Sequence, residues 1–442
     1  MRNSATKLIT GLICLMFVIA IQLNAKEFSK DEIKKSLPKL LGTTNEGTDF
    51  NFTFPPCWEV IPENDLIIYV SSPLRTKVCC EIPNKGKKYI NYTYPNEIIC
   101  FELSIGLGQC YRKRDTEPPE KEMVYKGCGV HVYSDNPIVV YAVTRYGYTS
   151  DGFLAIPANY CGTEYITASW ADPANNTSQW LTSYTGIVGI YENTSVKFTM
   201  GGNQASTTAS GTKPGETTVW KLNSTDVLLI GAIGSHSEMT GSKIVADKPV
   251  SVVSANFCAY IPTNCGCCDF ISEMELPTYS WGRNYLVTPI YGRKKSSMLK
   301  VFASEPMTKI YNNGKEIGTI KTAGGIEGEG WLALRADITG NNPVVISGDK
   351  PISVTQYNTG QSDDNISSDP FQMQLLPVEM YQNEIWFNTP GIRGGLGYPK
   401  NYINVCYQPA QNGQIPHDLT LTDFDNKGIK ISRVDTMTLL AR

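Results

Sequence analysis

The phrase DKPVSV at residues 247–252 returns as DKPISV at 349–354, and a degenerate copy, SDNPIVVYAV, stands at 134–143. A chain that repeats itself about every 100 residues is built from tandem domains, since solenoid repeats recur at roughly 20–50 residues. Each copy is followed by a variable loop, an Asp with Phe close behind, a Pro, and eight residues later the opening of a new strand. The first unit runs Pro137, Asp151, Phe153, Pro157, Tyr165; the second Pro249, Asp269, Phe270, Pro277, Tyr285; the third Pro351, Asp369, Phe371, Pro377, Ile385. A second marker keeps the same period: GTDF at 47–50, GTEY at 162–165, GRNY at 282–285 and a weaker QNEI at 382–385. A third is a turn, NKG at 84–86, GGN at 201–203, NNG at 312–314 and NKG at 426–428. Gly and Asn supply the positive backbone angles of tight hairpins.

Asp135, Asp247 and Asp349, with the prolines two residues on, read as turns in which Asp bonds its own backbone and Pro begins a strand. PVSVVSA and PISVTQY then alternate β-branched and small polar residues, as a half-buried strand does. FNFTF, LIIYV, IVGIY, DVLLIGAI and PVVIS behave likewise, with turn signals between them. The expected fold is all-β: tandem antiparallel sandwich-like repeats with a short amino-terminal helix. That helix is SKDEIKKSLPKLLG at 29–42, where Ser29 and Glu32 are spaced as a capping box and Pro38 interrupts. The expected organisation is a leader (1–25), a lead-in segment (26–46), units at 47–161, 162–281 and 282–381, and the hairpin of a partial fourth (382–442). That hairpin completes the third unit, pairs with the first, or belongs to a longer protein, since a lone hairpin is marginal in water.

The leader carries Arg2 and Lys7, a 16-residue apolar run from Leu8 to Leu23, and a small residue at Ala25. This is the order of a cleaved secretory signal, and the run is shorter than the roughly 20 residues that span a bilayer. The expectation is export without a membrane span, to a secreted or cell-surface location. Net charge is −3, and the densest basic stretch, YRKRD at 111–115, is too short to hold nucleic acid by charge.

Export changes how the cysteines read. Cys14 leaves with the leader, and an even set remains: Cys57, Cys79, Cys80, Cys100, Cys110, Cys128, Cys161, Cys258, Cys265, Cys267, Cys268 and Cys406. An oxidising compartment makes these candidate disulfide partners. Cys79 and Cys80, if in a strand, point to opposite faces and need different partners. Cys258, Cys265, Cys267 and Cys268 have the spacing C-x6-C-x-C-C with no His inside, unlike the paired knuckles of a zinc site, so no metal is expected; a bridge from Cys258 into the cluster would close a small loop.

No G-x-S-x-G or H-E-x-x-H occurs. GSHSE at 234–238, GGIEGEG at 324–330 and SDDN at 362–365 read as surface loops. No catalytic residue and no cofactor is assigned. The segments after each phrase, TRYGYTS, NFCAYIPTNCGCC and QYNTGQSDDNISS, hold equivalent positions with divergent content, as binding loops on a common scaffold do. Tyr141, Arg145, Tyr146, Tyr148, Tyr260 and Tyr357 are the candidate partner contacts, the alternative being tyrosines packed on the rim.

GTDFNFTFPP, GFLAIPANYCGTEYITASW and the run from Asp247 through Pro249, Cys258, Cys268, Asp269, Pro277, Trp281 and Gly282 to Tyr285 resemble the amino-terminal domain family of the immunoglobulin G Fc-binding protein. The likeness extends over roughly residues 45–400. Ala255 stands where that family commonly has Gly, the cluster holds extra cysteines, and Gln382 and Ile385 replace the expected Gly and Tyr. The resemblance implies an extracellular, non-enzymatic adhesion module with a protein or glycoprotein partner, possible glycan contact, and no specified antibody binding. The other classes to weigh are a carbohydrate-active enzyme or its accessory module, and a structural matrix component.

Overall fold

Each copy of the repeated phrase lies in the middle of one long strand. The computed structural model describes residues 45–407 apart from 59–65, 96, 148, 174–178, 235, 264, 336–343, 383–384, 386 and 388–402, and beyond Tyr407 only 416, 419, 421–422 and 428–429. The leader, the helix expected over 29–42 and most of the partial fourth unit lie outside the described residues.

The first repeat contains β1 (Gly47–Phe52), β2 (Leu66–Ser71), β3 (Thr76–Ile82), β4 (Lys87–Thr93), β5 (Ile98–Leu103), β6 (Met123–Tyr125), β7 (Val130–Arg145) and β8 (Ser150–Leu154). The second contains β9 (Gly162–Ile166), β10 (Ser183–Gly189), β11 (Thr194–Thr199), β12 (Thr207–Thr208), β13 (Thr217–Leu222), β14 (Val227–Ile233), β15 (Lys243–Ala259) and β16 (Asp269–Met274). The third contains β17 (Gly282–Val287), β18 (Met298–Ala303), β19 (Thr308–Asn312), β20 (Lys315–Ile320), β21 (Trp331–Arg335), β22 (Val344–Asn358) and β23 (Phe371–Gln374). A small antiparallel pair, β24 (Leu421–Thr422) with β25 (Gly428–Ile429), follows.

All three repeats share one wiring. The long strands β7, β15 and β22 are 16, 17 and 15 residues. The first half of each pairs with β1 and β3, β9 and β11, or β17 and β19. The second half pairs with β2 and β8, β10 and β16, or β18 and β23. β4, β13 and β20 flank the first half, and β5, β14 and β21 the second. One strand therefore passes from one leaf of a curled antiparallel sandwich to the other.

The crossing point is the repeated phrase, which corrects the turn-then-strand reading of it. Register along β9 jumps between Val245 and Val250 and along β17 between partners Ser347 and Ile352, so residues 246–249 and 348–351 form a bulge inside the strand. Pro249 and Pro351 sit where the ladder is broken, so the missing N–H costs no hydrogen bond. Asp does not bond its own turn. Asp247 accepts from the Ser195 amide and Asp349 from the Lys309 amide, each at 2.8 Å. Lys248 donates to the Glu192 carbonyl at 2.5 Å and Lys350 to the Pro306 carbonyl at 2.6 Å.

The other markers meet at the same place. The residue after each proline faces the opening glycine: Ile138 faces Gly47, Val250 faces Gly162, and Ile352 faces Gly282. The Tyr165 hydroxyl donates to the Val250 carbonyl at 2.6 Å and accepts from the Gly162 amide at 2.7 Å. Tyr285 does the same to Ile352 and Gly282, at 2.5 and 3.3 Å. The closing prolines press on these glycines: a Cβ on Gly47, Gly162 or Gly282 would lie 2.4, 2.5 or 2.4 Å from the Cβ of Pro157, Pro277 or Pro377. A single 3-10 turn after each proline then delivers the chain to the next repeat.

Apolar cores fill the three sandwiches, Phe50, Phe52 and Phe153 anchoring the first, Tyr165, Phe198 and Ile244 the second, and Tyr285, Val301 and Val354 the third. The repeats are also joined to one another. β16 lies against both β8 and β23. Asp151 accepts from the Ser272 amide, Asp269 from the Ser150 amide, and Glu273 from the Gln374 amide. Beyond β23, Phe387 packs on the Ile67, Tyr69 and Val143 face of the first repeat, whereas Cys406 enters the third core and Asn404 donates to Thr288 and Pro289. The chain after the third repeat thus touches both the first repeat and the third.

Candidate functional site

The loop tyrosines singled out in the sequence are largely enclosed. Tyr141, Tyr146 and Tyr357 are 3%, 7% and 0% exposed, which removes them as surface anchors. Tyr357 shows the reason: its hydroxyl donates to the Ser169 carbonyl, 188 residues earlier, and its ring stacks 5.0 Å from Trp170. Tyrosines in one repeat fill the joint with another. Arg145 and Tyr260 are half-buried, and Tyr148 lies outside the described residues.

The cysteines sort by place. Cys258 and Cys268 form a disulfide beside the apolar cluster of Phe257 and Phe270. Cys265 is buried with Sγ 3.0 Å from Ser362 Oγ, and Cys267 is exposed at positive φ. Cys57, Cys110 and Cys128 gather around the same cluster as the disulfide. Cys79 and Cys80 are adjacent on β3; burial pushes the thiols of Cys80 and Cys161 up to about 12. Cys100 lies near Glu102, and Cys406 in the third core. Among the described residues no three His, Cys, Asp or Glu side chains converge as metal ligands.

What the sequence did not single out is the outer face of the first repeat. β4 ends its sheet, and alternation along KKYINYT turns Lys88, Ile90 and Tyr92 outward. Leu74, Ile90, Tyr92 and Tyr94 are 49%, 51%, 40% and 42% exposed, four of the twelve large apolar side chains that are exposed among the described residues. That concentration makes one patch. The Arg75 guanidinium stacks on it, 5.0 Å from the Tyr92 ring and 5.5 Å from that of Tyr94, so the rings are held in place. Lys77, opposite Tyr92, and Lys88 border the patch. Lys88 pairs with Glu81 and donates to Tyr133 at 2.6 Å, and together Lys88 and Tyr133 hold the Glu81 carboxyl below its usual range.

Across β3 the face continues onto β7, where the His131 ring stacks 4.8 Å from Tyr133, and onto β1, where Asp49 meets His131 Nε2 at 3.2 Å. There it opens into a groove of about 470 Å³ whose far wall is Ile190, Tyr191 and Ser224 of the second repeat. The sequence offers no signal for this face: KKYINYT mixes lysine, asparagine and apolar residues without a clean apolar–polar alternation.

Curled antiparallel sandwiches repeated in tandem define the class as an all-β protein. The chain belongs to the IgGFc binding protein family, whose model matches residues 151–438. The human IgGFc-binding protein is 25% identical over 252 residues, covering 57% of this chain and 4% of that protein's length. No solved structure matches the chain.

Proposed function

We propose that this chain is an exported binding protein of the adhesion type, that it acts without catalysis, and that it recognises an acidic protein surface through the outer face of its first repeat. The observation that carries this is Arg75 stacked on two exposed tyrosines at a sheet edge rich in lysine. Aromatic and arginine side chains held in advance lose little entropy on binding, and cations at the rim select acidic partners. The family adds support for a protein partner: the human relative is named for binding the Fc portion of immunoglobulin G.

The test is biolayer interferometry of the oxidised chain against the immunoglobulin G Fc fragment and a panel of purified acidic and basic extracellular glycoproteins. Saturable binding to an acidic member is expected, weakening with salt. Arg75→Ala/Tyr92→Ala/Tyr94→Ala should lower that affinity at least about 30-fold, roughly 2 kcal/mol, with an unchanged unfolding midpoint. Equal affinities for parent and variant, or no saturable binding to any member, would remove the reading.

A further inference from the structure

Between β5 and β7 the chain leaves the first repeat and runs across the second as a strap, residues 104–129. Its strand β6 pairs with β14, Tyr125 opposite Val227 and Met123 opposite Leu229. The Tyr111 hydroxyl donates to that of Tyr184 at 3.0 Å, and Lys113 donates to the Trp180 carbonyl at 2.6 Å. Glu122 accepts from the Ser210 amide at 2.7 Å. At the far end the Gly127 amide donates to Asp226 at 2.9 Å and the Gly129 amide to the Thr225 carbonyl at 2.8 Å.

A cysteine stands near each end of this strap, and its thiols meet. Cys110 and Cys128 pack into the one apolar cluster that also holds Cys57 and the Cys258–Cys268 bridge, close enough for their thiols to interact. Asn84 fixes Cys128 from the β3–β4 turn, donating through Nδ2 to its Sγ and to the Lys126 carbonyl, both at 3.1 Å. We propose that Cys110 and Cys128 form a disulfide that closes the strap into a covalent loop, locking the first repeat onto the second.

The bond forms by exchange with a disulfide-bearing oxidant, such as oxidised glutathione or a thiol–disulfide oxidoreductase. The thiolate of Cys128 attacks one oxidant sulfur, and the other leaves as a thiolate. Cys110, deprotonated in turn, attacks Sγ of Cys128 and expels the second thiolate. Two protons go to water, two electrons to the oxidant, and one S–S bond replaces another. The attacking group is prepared for this. Cys110, helped by Lys85, lowers the Cys128 thiol against its burial, which favours the attacking thiolate. With the loop closed, β6 is held near its docked conformation on β14, and the unfolded chain loses freedom it would otherwise have.

The test is peptide mapping of the full chain, oxidised with a glutathione pair, alkylated in denaturant and digested without reduction. Trypsin cuts between the two cysteines at Arg112, Lys113, Arg114, Lys121 and Lys126, so a bridge appears as two linked peptides that separate on reduction, and fragmentation of the pair places the link on Cys110 rather than on Cys100 of the same peptide. That linked pair is expected. Alkyl label on both Cys110 and Cys128, or a link from either to Cys57, would overturn the proposal. Hydrogen exchange measures the lock itself: amides of Met123–Tyr125 should exchange at least about 10-fold faster in Cys110→Ser/Cys128→Ser than in the oxidised parent. Equal rates would mean that the bond does not hold the strap. If the variant fails to fold, the peptide map of the parent still decides the pairing.

Discussion

Lys300→Ala is expected to destabilise the protein by about 3–5 kcal/mol, among the largest effects of any single side chain here. Lys300 arises from β18 of the third repeat, yet its ammonium is enclosed by the second. Nζ lies 2.5 Å from Glu238 Oε2, 2.8 Å from the Ser169 carbonyl and 2.9 Å from Thr240 Oγ1. Trp170 and Trp331 flank it, with ring centroids at 4.7 and 4.5 Å. Both charged side chains are about 95% buried, at 4% and 5% exposure. Truncating the lysine leaves the Glu238 carboxylate without its cation in a medium that solvates it poorly. The magnitude belongs to the orphaned charge and not to the pair, because two buried ions recover little more than their desolvation cost. Lys300→Met/Glu238→Gln should therefore lose far less than Lys300→Ala alone. Urea unfolding of Lys300→Met, Glu238→Gln and the double variant gives the coupling directly; a double variant as unstable as Lys300→Ala would refute this assignment.

The second large effect is a dependence on pH. Where β8, β16 and β23 meet, the carboxyls of Asp151, Asp269 and Glu273 are raised well above their usual range, first of all by burial. Glu275, which accepts from the Ala168 amide at 2.6 Å, is raised by burial to about 7 from 4.5. A carboxyl raised in the folded state favours folding in its protonated form. Its contribution is full below the unfolded value of 4.5 and is lost as pH climbs through 7. For Glu275 that loss is about 3 kcal/mol. The neighbouring acids act in the same sense. Stability against urea should fall between pH 4.5 and 8, and Glu275→Gln, which stays neutral, should flatten the slope. A variant with the parent's slope would show that Glu275 titrates normally.

How much of this was legible in the sequence depends on the range of each interaction. The repeat period, the strands and the alternation were visible, because they are local. So was a link from Cys258 into its cluster, which the structure makes to Cys268. The place of DKP inside a strand was not, since Asp and Pro suit a turn and a bulge equally and only register separates the two. Tyr141, Tyr146 and Tyr357 carried the amphipathic look of binding residues, but contacts between distant parts of the chain enclose them. Lys300 gave no sign of its partner 62 residues away. The β4 face was not legible, because KKYINYT mixes lysine, asparagine and apolar residues without a clean apolar–polar alternation.

The claim on which the rest depends is that one wiring recurs, and that the opening Gly, its Tyr and the carbonyl after the bulge Pro close the second and third repeats on themselves. Residue-resolved hydrogen exchange at the Gly162 and Gly282 amides tests it most directly, because each amide donates to its own tyrosine hydroxyl, Tyr165 or Tyr285. Both amides should exchange at least about 1,000-fold more slowly than in an unstructured peptide. Tyr165→Phe should release Gly162 alone, and Tyr285→Phe Gly282 alone. Rapid exchange at both glycines in the parent protein, or protection that survives loss of the hydroxyl, would contradict the account.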